Sequence, residues 1–384
     1  GELFGHYPAD MALGGPMNLF FARSYASNLI STLRPESAMG NNWRHNFDWN
    51  LTRTGTVIEV ISAKGRSIKF NLVGNVWVLT GRASLPFQLT ENIGTGNFTL
   101  VNPANKRIYT FNSGGRLTGI SDGKGNLHRL DYNLADQLLR VSDGLGRVLN
   151  FTYNAAGHIS SLNDGAGRQI LFTHGGPFGH DLLAVTDLLA NVTTYTYGPA
   201  GFAATEGLMV ASQKPLGNTP FSQTWGRNNT GTRNRVIRQT DALGNTTSLS
   251  YTGSNTTITD PLARAMTHTH TVTGELSNVA RRDGTAISLA SNTAGQRNGI
   301  TDSLGATTGF AYDAVSGRVA TTTHANGATT TKSFTTRTLA SGVKQFDTAS
   351  VTHADGTVDA FTHDTVGNLL SHTDRAGNST HFTR

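Results

Sequence analysis

Apolar residues in this chain recur at intervals of two, in short runs punctuated by Asp, Asn and Gly, and between Gly115 and His174 the arrangement returns three times. The passes read GRLTGISDGKGNLHRLDY, DQLLRVSDGLGRVLNFTY and GHISSLNDGAGRQILFTH, and Asp122, Asp143 and Asp164 stand 21 positions apart. A period of two is that of a strand with one buried face. Each four-residue D-G-x-G turn supplies positive φ at glycine and an Asp side chain that bonds its own backbone. The pattern therefore predicts antiparallel β-hairpins repeated along the chain.

Aligning the turns on Gly125, Gly146 and Gly167 places His128, Leu130 and Tyr132 on one face of a strand, then Leu149, Phe151 and Tyr153, then Ile170, Phe172 and His174. Stacked repeats align such trios as ladders. The phase returns at Leu249 and Tyr251 after the turn Asp241 to Gly244, at Phe310 and Tyr312 after Asp302 to Gly305, and at Phe361 and His363 after Gly356. A last turn runs from Asp374 to Gly377. In the strand before each early turn, Leu117 and Ile120, Leu138 and Val141, and Ile159 and Leu162 are three apart rather than two. A β-bulge reconciles that spacing with a common face.

Residues 1–110 read as a separate all-β opening module, with Trp43, Phe47, Trp49 and Trp77 expected in its core; at strand spacing these rings favour burial over a sugar-stacking platform. Residues 111–384 read as the hairpin array, interrupted at about 198–235 by an irregular insertion. Later repeats are richer in Thr, Ser and Ala, so the array is expected to continue while its core thins.

Composition narrows the function classes. Gly at 44 residues and only 15% charged side chains suit many short strands with polar outer faces rather than long helices. The formal charge is +6, but the 31 basic residues are scattered rather than gathered in a stripe, which argues against nucleic acid as a partner. Without cysteine there is no disulfide and no thiolate nucleophile or metal ligand. No apolar run is long enough for a membrane-spanning helix. The chain starts and stops inside its pattern, and is read as an excerpt from a longer polypeptide.

The D-x-x-G turns, flanked by strands ending in Tyr132-Asn133, Tyr153-Asn154 and Tyr312-Asp313, resemble the tyrosine-aspartate (YD) repeats of Rhs proteins. The opening GGPMNLFFARSYAS with MGNNWRHNFDWNL resembles the module that precedes those repeats in bacterial Rhs and wall-associated proteins. The resemblance implies a long antiparallel strip that curls into a shell or open spiral, related to the B and C shells of insecticidal toxin complexes and to teneurins. It implies a secreted or cell-surface bacterial scaffold that encloses or presents a C-terminal toxin or other cargo. The repeats depart from the family pattern from Asp187 onward, and the family's arginine-tyrosine pair is mostly replaced, as at Asn150-Phe151-Thr152-Tyr153. Asp260-Pro261-Leu262 occupies an ordinary turn position and is given no self-cleavage role.

Candidate chemistry is sparse. Most carboxylates fall at turns, where capping N–H groups explains them, so no catalytic pair, cofactor site or metal site is assigned and no enzymatic activity is expected. His268 and His270 share a strand face, but a zinc site needs further ligands, for which His324, His353 and His363 are the candidates. The glycosylation-like triplets at Asn191, Asn228, Asn245 and Asn378 read as Thr-rich strand sequence. The expected partners are the remainder of the same polypeptide, with self-association through strip edges as a further possibility. An alternative reading is a cell-surface adhesin or glycan-binding module using Phe202 to Arg235 and Trp225, or a subunit of an extracellular β-rich fibre.

Overall fold

A computed structural model of the chain describes residues 3–29, 37–81, 84–102, 105–176, 179–198, 207–226 and 234–383. Among these residues there is no helix, and 27 strands bond in chain order into one sheet, from Gln88–Asn92 to Ser379–His381. Pairing is antiparallel, each strand lying between its predecessor and its successor. This is the arrangement that tight hairpin turns dictate, since no crossover is needed. The sheet is an open strip and not a closed barrel. Ahead of it, Phe4–His6, Arg23–Ala26 and Trp43–His45 form a three-stranded sheet, and Met11–Ala12 pairs with Phe20–Phe21. Asn50–Thr54, Val57–Ile61, Ser67–Val73 and Val76–Leu79 form a four-stranded sheet.

The three-residue spacing in the first strand of the early repeats is resolved by a bulge. Tyr132 faces Leu138 while Asp131 faces Arg140, which leaves Leu139 over. The slip recurs where Tyr153 faces Ile159, His174 faces Leu182, Tyr197 faces Met209, Trp225 faces Val236, Tyr312 faces Val319 and His363 faces Leu369. The extra residue turns outward, so Leu138 and Val141 are both buried while Leu139 is exposed. Each of these bulges also adds local bend to the strip, whereas Thr246–Thr252 and Asn255–Thr259 pair without one.

Contacts within the chain fall into two compact units. One comprises Gly1–Asn50, Val60–Ser67 and Leu127–Thr267. In it the opening module lays its aromatic side chains on the ladder face: Phe21 lies 5.8 Å from Phe151 and 5.9 Å from Phe172, and Trp43 lies 5.0 Å from Tyr195, measured between ring centroids. The expected core residues Trp43 and Phe47 are buried, whereas Trp49 is only half-buried. The stretch read as an insertion contributes two strands, Met209–Gln213 and Phe221–Trp225, and its residues 199–206 and 227–233 lie outside the described residues.

The other unit comprises Leu51–Glu59, Ile68–Asn126 and His268–Arg384. Trp77 is buried here, with its indole N–H bonded to Glu91 and its ring under Arg53. The long hairpin of Thr329–Thr338 and Lys344–Thr352 brings Val343 and Leu339 onto Val101 and Ile108. Gln88 locks it by exchanging two bonds with the Lys344 backbone, at 2.8 and 2.9 Å. Asp347, buried beneath, is taken by the Lys106 ammonium. Gly115 permits the approach of the preceding sheet: its φ is +83°, and a side chain there would stand 1.8 Å from the Leu51 carbonyl oxygen.

Candidate functional site

The turn aspartates build one geometry many times over. Asp143 Oδ1 accepts the N–H groups of Leu145 (2.8 Å) and Arg147 (3.2 Å), and Oδ2 takes the Arg147 guanidinium at 2.5 Å. Asp122, Asp164, Asp241 and Asp374 do the same, with Asn126, Arg168, Asn245 and Asn378 as the fourth-residue partner. Asp302 caps Leu304 and Ala306 without such a side chain. Gly125, Gly146, Gly167, Gly244, Gly305 and Gly377 all take positive φ. Burial in the turn pushes the Asp143 carboxyl up, but the Leu145 N–H and the Arg147 side chain and N–H outweigh it and leave the group below the usual carboxylate range. At Asp241 and Asp374 the Asn245 and Asn378 side chains lead the same downward shift.

Each such carboxylate is spent on its own turn. On the opposite edge of the strip Asn caps several turns in the same way: Asn154 Oδ1 accepts from Ala156 and His158, both at 3.0 Å. Asp143→Asn therefore retains the turn bonds, whereas Asp143→Ala strands them. Alanine is expected to cost about 1–2 kcal/mol and asparagine less than about 1 kcal/mol in urea unfolding. Equal losses for the two substitutions would show that the cap is not what matters at this position.

The ladder divides into a buried and a partly buried stretch. Leu130, Phe151 and Phe172 are buried beneath the opening module, with Tyr132 and Tyr153 half-buried at its margin. Tyr251, Phe310, Tyr312 and Phe361 hold the same phase and are partly buried, and Leu249 packs against Leu208, Trp225 and Val236. The tyrosines also serve a purpose that spacing alone does not reveal. The hydroxyls of Tyr153, Tyr197, Tyr251 and Tyr312 donate to the carbonyls of Leu138, Leu182, Val236 and Arg297, in each case 15 positions earlier. Each ring thereby clamps the start of the preceding strand.

The most elaborate polar site lies under the opening module. Arg23 is 4% exposed and grips Asp10 with two bonds, Nε to Oδ2 at 2.7 Å and Nη2 to Oδ1 at 2.9 Å, while Nη1 donates to the Tyr195 hydroxyl at 3.2 Å. Its guanidinium lies 5.3 Å from the Tyr7 ring centre and 5.2 Å from that of Trp43. Burial works against this charge, but Asp10 and Tyr195 overcome the penalty and the Arg23 pKa is raised. Trp43 donates to the Tyr197 hydroxyl at 2.8 Å; Tyr25 donates to the Gly207 carbonyl at 2.7 Å and accepts the Met209 N–H at 2.8 Å. His45 is fully enclosed against Phe21, Phe47 and Phe151. Its buried Nδ1 has no hydrogen-bond partner among the described residues.

The remaining candidates stay apart from these sites. His268 and His270 are half-buried on one strand. Among the described residues no group of three His, Cys, Asp or Glu side chains is arranged to hold a metal ion. His353 and His372 instead meet across Asp359, at 2.7 and 3.2 Å, with Arg375 3.6 Å from the same carboxylate. Trp225 is 3% exposed in a cluster with Leu208 and Val236 and donates to the Met209 carbonyl, so it offers no stacking platform to a sugar.

The family model described as RHS Repeat matches residues 132–169, and the one described as Domain of unknown function (DUF6531) matches residues 1–70. The chain carries an RHS repeat and is similar to the Rhs/YD-repeat proteins. The matched repeat segment holds two of the capped turns, at Asp143 and Asp164, and the Tyr153 clamp of this Rhs-repeat protein. Among solved structures, it is similar to TcdB2-TccC3 with Cdc42, at 14% identity and a TM-score of 0.46. It is also similar to the Photorhabdus luminescens Tc holotoxin pore, at 12% identity and a TM-score of 0.46. In both cases the match covers 93% of this chain and 22% of the other. No curated protein matches it.

Proposed function

We propose that this Rhs-repeat protein is a wall segment of a secreted or surface-exposed bacterial β-shell, with no catalytic role of its own, and that it holds a polypeptide cargo apart from solvent. The observation that carries this reading is the ladder face. Over Leu130, Phe151 and Phe172 it is buried beneath the opening module, while from Tyr251 to Phe361 the same face is only partly buried. A partly buried apolar sheet face leaves surface that suits a cargo segment lying against it. The turn carboxylates support the non-enzymatic part, since their oxygens are taken up by turn N–H groups and fourth-residue side chains. The cargo is read as part of the same longer polypeptide.

Limited proteolysis of the natural polypeptide that carries this chain tests the proposal. Sequence following the strip is expected to resist a nonspecific protease until urea unfolds the sheet, and then to be cut rapidly. Cleavage under native conditions as fast as that of the urea-unfolded chain would overturn the enclosing role.

A further inference from the structure

Hairpin tips favour Gly, Asn, Asp and Ser. Four successive turns on one edge of the strip instead present leucine: Leu189, Leu216, Leu243 and Leu262 are 82%, 96%, 88% and 72% exposed. These turns join Asp181–Thr186 to Val192–Tyr197, Met209–Gln213 to Phe221–Trp225, Val236–Asp241 to Thr246–Thr252, and Asn255–Thr259 to Ala265–His270. Because the strands bond in chain order, the four tips stand side by side on one edge. Adjacent tips are two strands apart, a pitch of about 9–10 Å.

The tips are rigidly built. The N–H groups of Leu189, Leu243 and Leu262 donate to Oδ1 of Asp187, Asp241 and Asp260. The turn bearing Leu216 is closed by backbone bonds between Lys214 and both Gly217 and Asn218. A lone exposed leucine needs no explanation, but four in register make an apolar ridge.

We infer that this ridge is a self-association surface, on which a second copy of the chain docks with its own ridge running antiparallel about a two-fold axis. Pitch is the first argument: an identical edge supplies apolar tips at the same interval. Charge is the second. The turns begin, in order, with Asp187, Lys214, Asp241, and Asp260 paired to Arg264. Antiparallel superposition sets the Lys214 turn opposite the Asp241 turn of the partner subunit, twice by symmetry, and the Asp187 turn opposite the paired Asp260 and Arg264. A parallel superposition in register sets like against like. A lipid surface fits less well, because an acidic side chain stands behind three of the four leucines. The Lys214 ammonium lies 6.0 Å from the Tyr7 ring centre, at the flank of the ridge.

Sedimentation of the 384-residue chain over a range of concentrations tests the inference. The expected result is a reversible dimer that is lost in the L189N/L216N/L243N/L262N variant, with thermal unfolding unchanged because all four side chains are exposed. K214D is expected to raise the dimer dissociation constant by about tenfold and K214R to leave it near the wild-type value, as a charge contact requires. A wild-type monomer at all concentrations would overturn the proposal, as would a quadruple variant that dimerises like wild type. Flotation of the wild-type chain, but not the quadruple variant, with phosphatidylcholine vesicles in the absence of a dimer would assign the ridge to lipid instead.

Discussion

Arg23→Ala is expected to lower the unfolding free energy by about 3–5 kcal/mol, the range found when one partner of a buried ion pair is removed. The substitution leaves Asp10, whose side chain is only 12% exposed, without its two charge-assisted bonds. It removes one donor from the Tyr195 hydroxyl and leaves the Tyr7 and Trp43 rings facing a void. Lysine is no remedy, since a point charge cannot reproduce a fork that meets two carboxylate oxygens and a hydroxyl at once. A double replacement, Arg23→Met with Asp10→Leu, is expected to recover most of the loss, because an apolar pair avoids the desolvation that both charges suffer. Urea unfolding at neutral pH measures all three variants. Losses below about 1 kcal/mol for Arg23→Ala would mean that the pair is not anchoring the opening module. If it does anchor it, partial loosening bares Phe151 and Phe172, and an apolar dye reports this before the strip itself unfolds.

The strip and the anchor differ in how far they can be read from the chain. Period-two alternation and turns 21 positions apart report a hairpin array because every partner in a hairpin is close in sequence. Even the bulges are legible, since Leu138 and Val141 can share a face only if Leu139 is pushed out. Contacts such as Arg23 with Tyr195, 172 positions apart, or Tyr25 with Gly207, 182 apart, leave no local trace. Residues near Arg23 suggest an apolar strand and nothing about which face of which repeat it covers. The tyrosine clamps are intermediate. Their 15-residue offset is constant, but only the strand register reveals that a backbone carbonyl waits at that distance. Trp225 looks like an exposed aromatic in a loop, and is buried because the strand Phe221–Trp225 joins the sheet beside Met209.

His45 makes the anchor sensitive to pH in a way that the turns are not. Enclosure against Phe21, Phe47 and Phe151 disfavours the imidazolium; Asp48 opposes this and Arg44 reinforces it, and the folded pKa is lowered to about 4. An unfolded chain takes up that proton near the ordinary histidine value of about 6.5. The folded state refuses it until about pH 4, so stability is full above about pH 6.5, falls as the pH drops from there to about 4, and levels off below. At about 1.4 kcal/mol per pH unit, the loss attributable to this one side chain is on the order of 3 kcal/mol. The turn aspartates have depressed pKa values, so their contribution persists above the ordinary carboxylate range and is lost only at lower pH, as the carboxyls titrate. The two effects occupy adjacent windows and can be separated. Replacing His45 by phenylalanine, which fills the aromatic pocket without a titratable nitrogen, is expected to flatten the upper window and leave the lower one intact. The same buried Nδ1 that lacks a partner disappears with it, so this variant is also expected to exceed wild type in stability at pH 5. Calorimetric melting of both chains between pH 7.5 and 3.5 decides the matter: parallel curves across the upper window would exclude His45 as the source of its pH dependence.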